Sequence, residues 1–499
     1  MKYEILKKKI NKENIIVGII ILILAILVSM QSSAFRINKD SYLSIDVAVW
    51  TNIGKMMSEG RVMYRDVFDH KGPMLLIFYC VAYSIGKYIG IWLLDFISIL
   101  ASEIIIYKIA RRFDLDKYKA ISISGISMAF LSQMCLENPC TESLALPFIL
   151  LSLYEFMKFF MDTKTFEKKE SIYTGICLGI VLLMRPNLAS IWVVYDLYIF
   201  IKMLKDKKIK ELFNIIIFSF LGLAIAFIPI AIYLLVNNAF MDFINTYLIF
   251  NLKYANLKDL SFISTIKYFL GKDNINLIIS VLIINITLLV YMYKRKDKNL
   301  MIIITSFIWF IFTFYLVIMP QRGYIHYLIP ILPTLIMPIV ISLKNIKVDK
   351  NVFYAFMFFV IIFVSIELIV KLNNNEQNSE QIENLQDMAE YIQMNTNKDD
   401  NVLMLGNLTE SYLKTDREYK GKYFYQIPIA YYSEEICDEI INEIKDNLPS
   451  IICINNCDLK RYYSEEEIRF KKEINKILKE NYTKLDENIF IRKEEQINE

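Results

Sequence analysis

Between residues 32 and 88 the chain gathers groups able to do chemistry beside long apolar runs. Asp46 sits in the apolar, aromatic stretch Ser44-Ile45-Asp46-Val47-Ala48-Val49-Trp50. Tyr64-Arg65-Asp66 and then Asp69-His70-Lys71-Gly72-Pro73 follow. A carboxylate is ionised at neutral pH and can take a proton from a hydroxyl. A lysine ammonium offers an anion a point charge, and an arginine guanidinium offers phosphate oxygens a planar fork. Charge this dense beside a bilayer is costly unless it is solvated, paired or used. For Glu59 and Arg65 solvation in a loop is the simpler reading; Asp46 and Lys71 are the better candidates for a chemical role.

Three later stretches carry similar groups. Glu137 and Glu142 flank Asn138-Pro139, an ordinary turn. Arg185-Pro186-Asn187 joins two short apolar runs, where the arginine reads equally as a cap on the hairpin. Gln321-Arg322-Gly323-Tyr324-Ile325-His326-Tyr327 follows another apolar run. There Arg322 is either an anion ligand or an interfacial anchor beside Tyr324 and Tyr327. The sequence has 2 histidines, His70 and His326. With Asp66 and Asp69 they are candidate substrate or metal contacts, and Asp69, His70 and His326 would suit a divalent ion if the fold joined them. A lone histidine is more often a hydrogen-bonding residue, so no metal is required. The 7 cysteines are odd in number and lack metal-finger spacing. Cys135 with Cys140, or Cys453 with Cys457, are the pairs close enough to bridge, but apolar filling accounts for all seven.

The elements that position these groups are membrane spans. Of the 499 residues, 55% are hydrophobic and 14% aromatic, and a net charge of +3 leaves no nucleic-acid footprint. Apolar runs of bilayer length predict about eleven spans, near 14–32, 89–110, 119–136, 143–161, 171–186, 188–203, 213–236, 275–293, 300–319, 327–343 and 352–371. The basic N-terminus and the run after it read as an uncleaved first span. Lysine-rich turns precede the first span and follow every even-numbered one, including Arg111, Arg112, Lys168, Lys169, Lys207, Lys208, Lys294, Arg295, Lys344 and Lys347. The positive-inside rule makes these turns cytoplasmic. The first loop, the ends bearing Glu137, Arg185 and Arg322, and the C-terminal segment then face outward. Met74 to Gly86 is apolar but short, and reads as a helix at the outer interface rather than a span.

After Lys371 the composition changes to a polar linker, Asn373-Asn374-Asn375-Glu376-Gln377-Asn378-Ser379-Glu380-Gln381. Residues 373–499 then alternate helical and strand patterns: helices near 383–394, 434–444 and 465–479, strands near 401–405 and 450–454. The expected architecture is an α-helical polytopic membrane domain over 1–372 with a small extracytoplasmic α/β domain over 373–499. No glycine-rich nucleotide loop occurs, and Gly406 is an isolated turn residue.

The first loop resembles the GT-C superfamily of membrane glycosyltransferases, a group that includes the aminoarabinose transferases, the protein O-mannosyltransferases and the glycosyltransferase family 39-like proteins. The resemblance rests on Asp46 early in the loop and on Asp69-His70-Lys71-Gly72-Pro73-Met74 opening an amphipathic helix, with looser support from Arg185-Pro186-Asn187 and from residues 321–327. Gly72 replaces the first proline of the family element, and Val47 stands where a second acidic residue is usual. The resemblance implies a multi-pass protein of the cell membrane that moves a sugar from a polyprenyl-phosphate donor to an envelope acceptor on the outer face, with inversion. It gives Asp46 the part of general base and Lys71, Arg322 and Arg185 the donor phosphate. Asp66, Asp69, His70, His326, Tyr327 and Glu137 remain as further contacts, and a divalent metal is the one cofactor the superfamily admits. A lipid-linked sugar flippase and an inactive assembly subunit of the same fold stay open as alternatives. Sugar and acceptor are not legible in the sequence.

Overall fold

The computed structural model describes residues 12–36, 44–161, 168–255, 259–271, 275–297, 299–344, 346–347, 349–373, 388–406, 408–427, 429–454, 465–486 and 488–493. The N-terminal lysines, Lys164, Lys298, Cys457, most of the polar linker and the first turn of the helix expected from 383 lie outside them. The chain forms two compact units, one of Met1–Phe35, Trp92–Pro229 and Asp259–Asn373, the other of Arg36–Ile91, Ile230–Lys258 and Asn374–Glu499.

The first unit is helical. Each of the eleven expected spans is a helix in the structure. Among the described residues seven helices are long and apolar enough to cross a bilayer: Pro73–Arg112, Thr141–Met161, Ile209–Val236, Ile278–Arg295, Leu300–Ile318, Ile325–Lys344 and Lys350–Asn373. The others are shorter; Lys168–Leu182 has 15 residues and Ser190–Lys205 has 16. At 1.5 Å per residue they reach about 23 Å, less than the ~30 Å of hydrocarbon. Apolar side chains left uncovered by protein, such as Phe213, Phe220 and Ile228, belong against lipid. The chain is a multi-pass membrane protein.

Small residues let two of these helices touch backbone to backbone. A Cβ added to Gly175 would lie 2.1 Å from the Ser219 carbonyl oxygen, and one added to Gly222 would lie 2.2 Å from that of Ile172. Gly179 meets Ala226 in the same seam. This is small-residue packing, which substitutes close van der Waals contact for a hydrophobic drive that lipid does not supply. Cys135 and Cys140 are both buried and are not bridged to each other.

The second unit joins the first loop to the C-terminal segment. Helix Ile45–Ser58 packs on the helix that starts at Pro73; Gly54 is so close that a Cβ there would lie 2.7 Å from the Tyr79 carbonyl oxygen. The helix from Pro73 breaks at Gly86 (φ −153°, ψ 20°) and Lys87 (φ 49°, ψ −126°). In an unbroken helix residues 82 and 90 would be about 12 Å apart along the axis. Instead a Cβ on Gly90 would lie 1.8 Å from the Ala82 carbonyl oxygen. The apolar stretch at 74–86 is therefore a helix of its own that folds back at the break.

The C-terminal segment builds a four-stranded sheet of order β1-β2-β4-β3 from Val402–Leu405 (β1), Ile451–Ile454 (β2), Tyr482–Asp486 (β3) and Ile489–Arg492 (β4). β1 and β2 are parallel, with Val402 beside Ile451; the other two pairings are antiparallel. Helix Glu434–Asp446 is capped by the Ser433 hydroxyl, which accepts from the Ile436 N–H, and buries Cys437, Ile440, Ile441 and Ile444 at helical spacing. Residues 388–395 are helical.

Gly222→Val drives a branched side chain into the Ile172 backbone and should cost about 1–3 kcal/mol. Melting in detergent checks it. Gly18→Ala, where nothing lies within 4 Å of the added carbon, should leave the melting temperature in place.

Candidate functional site

The residues singled out in the sequence fall into two clusters, one in each unit. In the second unit the turn from Phe68 to Pro73 is organised by Asp69. This carboxylate is 2% exposed. Its Oδ1 accepts the Lys71 N–H at 2.6 Å, the two-residue reach typical of aspartate in a turn, and its Oδ2 accepts the Tyr425 hydroxyl at 3.1 Å. The buried Tyr64 donates to the Lys71 carbonyl at 2.8 Å. The backbone of Lys71 is thus held on both sides, and Pro73 opens the next helix at the position where its missing N–H costs nothing. The Lys71 ammonium lies 5.6 Å from the centre of the Trp50 ring, at cation–π distance.

Asp46 lies in the first turn of helix Ile45–Ser58, where the helix dipole favours a negative charge. Trp50 follows one turn later on the same face. Asp46 is exposed and Trp50 buried. Burial pushes the Asp69 carboxyl up to about 6; the Lys71 charge and the Lys71 N–H pull it down, and the Asp46 charge pushes it up again. Asp46, Asp69 and Lys71 therefore feel one another, and a carboxylate and an ammonium stand around one buried carboxyl.

The other first-loop residues are employed differently. Asp66 pairs with Arg65 at 2.7 Å and accepts the Val62 N–H at 2.8 Å. The guanidinium beside it holds its carboxyl below the usual range, and it closes the local turn. His70 stacks against Tyr254 and Phe250, with ring centres 4.9 and 5.7 Å away, and its carbonyl accepts from the Asn251 side chain at 2.6 Å.

In the first unit the turns at 135–142, 185–188 and 322–327 come together. Arg185 is bonded to the buried Glu142 and lies 4.2 Å above the Tyr327 ring. A small pocket there is lined by Glu142, Arg185, Asn187, Thr313, Tyr327 and Pro330. His326 Nδ1 is 2.8 Å from a Glu137 oxygen. Arg322 is 6% exposed, with its carboxylate partner Asp259 out at 4.0 Å. The charge of Arg185 is already met, because a buried carboxylate must be paired; that of Arg322 is met at longer range. The candidate metal ligands are divided between the units, and among the described residues no three His, Cys, Asp or Glu side chains are grouped for a metal ion.

Trp50 and Tyr425 were not foreseen. The first was within reach, one turn after Asp46. The second lies 356 residues from its partner, and no local pattern marks it.

The family described as "Putative competence-induced protein Ccs4 N-terminal domain" matches residues 7–371. No curated protein matches the chain in sequence. Among solved structures, apo ArnT from Cupriavidus metallidurans is similar at a TM-score of 0.58 and 11% identity, over 89% of this chain and 92% of that one. The same protein bound to undecaprenyl phosphate gives 0.57 and 10%, over 90% and 94%. At such identities the likeness is one of fold, and the fold is the GT-C fold expected from the first loop.

Asp69 also fixes a pH dependence. Its folded value lies above that of an exposed aspartate, so its contribution to stability is complete below about pH 4 and is lost as pH rises through about 6. The difference in melting temperature between wild type and Asp69→Asn should therefore change between pH 4 and 6 and be flat above 7. A scan of melting temperature against pH on both proteins measures it.

Proposed function

The chain belongs to the Ccs4 N-terminal domain family, and on that footing we propose that it is a membrane glycosyltransferase that takes sugar from a polyprenyl-phosphate donor and passes it to an envelope acceptor on the outer face. The observation that carries the reading is the grouping of Asp46 and Lys71 around buried Asp69, in a chain whose fold is similar to that of a protein solved with undecaprenyl phosphate.

The chemistry is a single displacement. The acceptor oxygen attacks the anomeric carbon and the bond to the donor phosphate breaks, so the sugar is inverted. Asp46, solvent-accessible in the first turn of its helix, takes the proton the hydroxyl must lose. The polyprenyl phosphate leaves, and its charge grows from about −1 toward −2. A cation at that phosphate therefore stabilises the transition state more than the bound donor. Lys71 is that cation, and the two backbone contacts that fix it limit the reorganisation needed as charge develops. Arg322, buried with a distant carboxylate, is the second candidate; Arg185 takes the part only by giving up Glu142. Asp69 positions Lys71, His326 and Tyr327 with Glu137 lie beside the arginines of their own unit, and Asp66 shapes its turn. Lysine-rich turns after every second span favour an inside N-terminus and an outside C-terminal segment. No step requires a metal.

The test is transfer by purified protein in nanodiscs from a polyprenyl-phosphate sugar. Asp46→Asn should lower kcat by about 10²–10⁴, and Lys71→Ala should lower it by about 10² with a smaller change in KM. Lipid-linked sugar crossing the bilayer without transfer would make the protein a flippase. Inertness of wild type and variants alike would make it an assembly subunit.

A further inference from the structure

The C-terminal segment is bonded to the first loop along a continuous stretch. Asn52 donates to the Thr409 carbonyl at 2.8 Å. Lys55, in the last turn of its helix and buried, lies between Asp416 at 2.9 Å and Glu418 at 3.2 Å. Arg61 donates to the carbonyls of Tyr419 and Gly421 at 2.9 and 3.2 Å, and the Phe68 N–H donates to the Lys422 carbonyl at 3.0 Å. Residues 416–422 therefore run beside residues 55–68. Three residues further on, the Tyr425 hydroxyl reaches Asp69. Its ring packs edge-on against Phe424, with ring centres 5.2 Å apart.

We propose that Tyr425 is a positioning residue for Lys71: through Asp69 it fixes the turn that aims the Lys71 ammonium at the anionic head of a polyprenyl phosphate, so that the C-terminal segment contributes a side chain to the donor site. The inference rests on the donor reading given above. The geometry is a relay of two bonds from one carboxylate. Oδ2 is anchored by the Tyr425 hydroxyl, which leaves Oδ1 oriented toward the Lys71 N–H. Without the hydroxyl the buried carboxylate is free to rotate, and the Lys71 backbone keeps only its bond from Tyr64. The remainder of the ring contact is indifferent to the hydroxyl, so Tyr425→Phe removes the bond and keeps the packing.

The measurement is the affinity of full-length protein in nanodiscs for undecaprenyl phosphate. This lipid is the departing group in its fully charged form, so its Kd reads how well the cation is placed. Tyr425→Phe, Lys71→Ala and the double variant form a cycle. Tyr425→Phe should weaken binding by about three- to tenfold, Lys71→Ala should weaken it more, and Tyr425→Phe should add nothing once Lys71 is gone. Melting temperatures accompany each variant. Equal weakening by Tyr425→Phe with and without Lys71 shows a merely structural contact and overturns the inference, as does an unchanged Kd in Tyr425→Phe. In those two cases wild type still binds and Lys71 still matters, so the donor reading stands. If wild type does not bind the lipid at all, the donor reading fails and the inference falls with it.

Discussion

One buried carboxylate sets the terms for the second unit. Asp69 has almost no contact with solvent, and an ionised group in that position needs donors and a compensating charge. It has two neutral donors, the Lys71 N–H and the Tyr425 hydroxyl, and one cation, Lys71 itself. Each of these makes a structural demand. The N–H requires the tight turn before Pro73. The hydroxyl requires residues 416–425 to lie along the first loop, which the ion pairs of Lys55 and the carbonyl bonds of Arg61 secure. The cation requires a neighbour that tolerates it, and the face of Trp50 serves. Asp46 works against the arrangement by adding a second negative charge. A site that carries such internal opposition suits a group held ready for a proton or an anion better than one selected for stability alone.

The first unit handles its charges in the opposite manner. Glu142 is buried and closely bound to Arg185, and the guanidinium is spread over an aromatic face. His326 is set against Glu137 and between two tyrosines. The Arg185–Glu142 contact joins one charge of each sign and leaves little net charge. Arg322 is buried as well, with the Asp259 carboxylate 4.0 Å away.

Much of the fold was legible because bilayer physics leaves few options. Long apolar runs must be helical where no water can serve the backbone, and the helices were read close to where they lie. The short helices carry a weaker signal, since 15 or 16 residues fit a core as well as a membrane. The β3–β4 hairpin was not foreseen: Tyr482–Asp486 alternates poorly and carries Lys484 and Asp486. The Gly175–Gly179 and Gly222–Ala226 spacings were visible as letters, but which helices they join is a property of the tertiary fold. In the site, Asp46 and Lys71 were chosen by type and order. Asp69 ranked below them because sequence does not show burial, yet it organises the turn. Lys55 carried a usable signal, because a lysine that shares helix Ile45–Ser58 with nine other buried residues must have an anionic partner somewhere. Which partner, the sequence did not say.

The separation of Asp69 from Tyr425 bears on how the protein is made. The two are 356 residues apart, with every span after the first loop inserted between them. At roughly 5–20 residues per second a ribosome needs on the order of 20–70 s to cover that distance. During that interval the first loop is without the late-synthesised chain that lies along it, and the aspartate lacks its tyrosine partner. The cluster around Asp69 is then completed last, after the helices that precede it in the chain. A nascent or prematurely ended chain would carry the helices yet leave Asp69 without its late-made tyrosine.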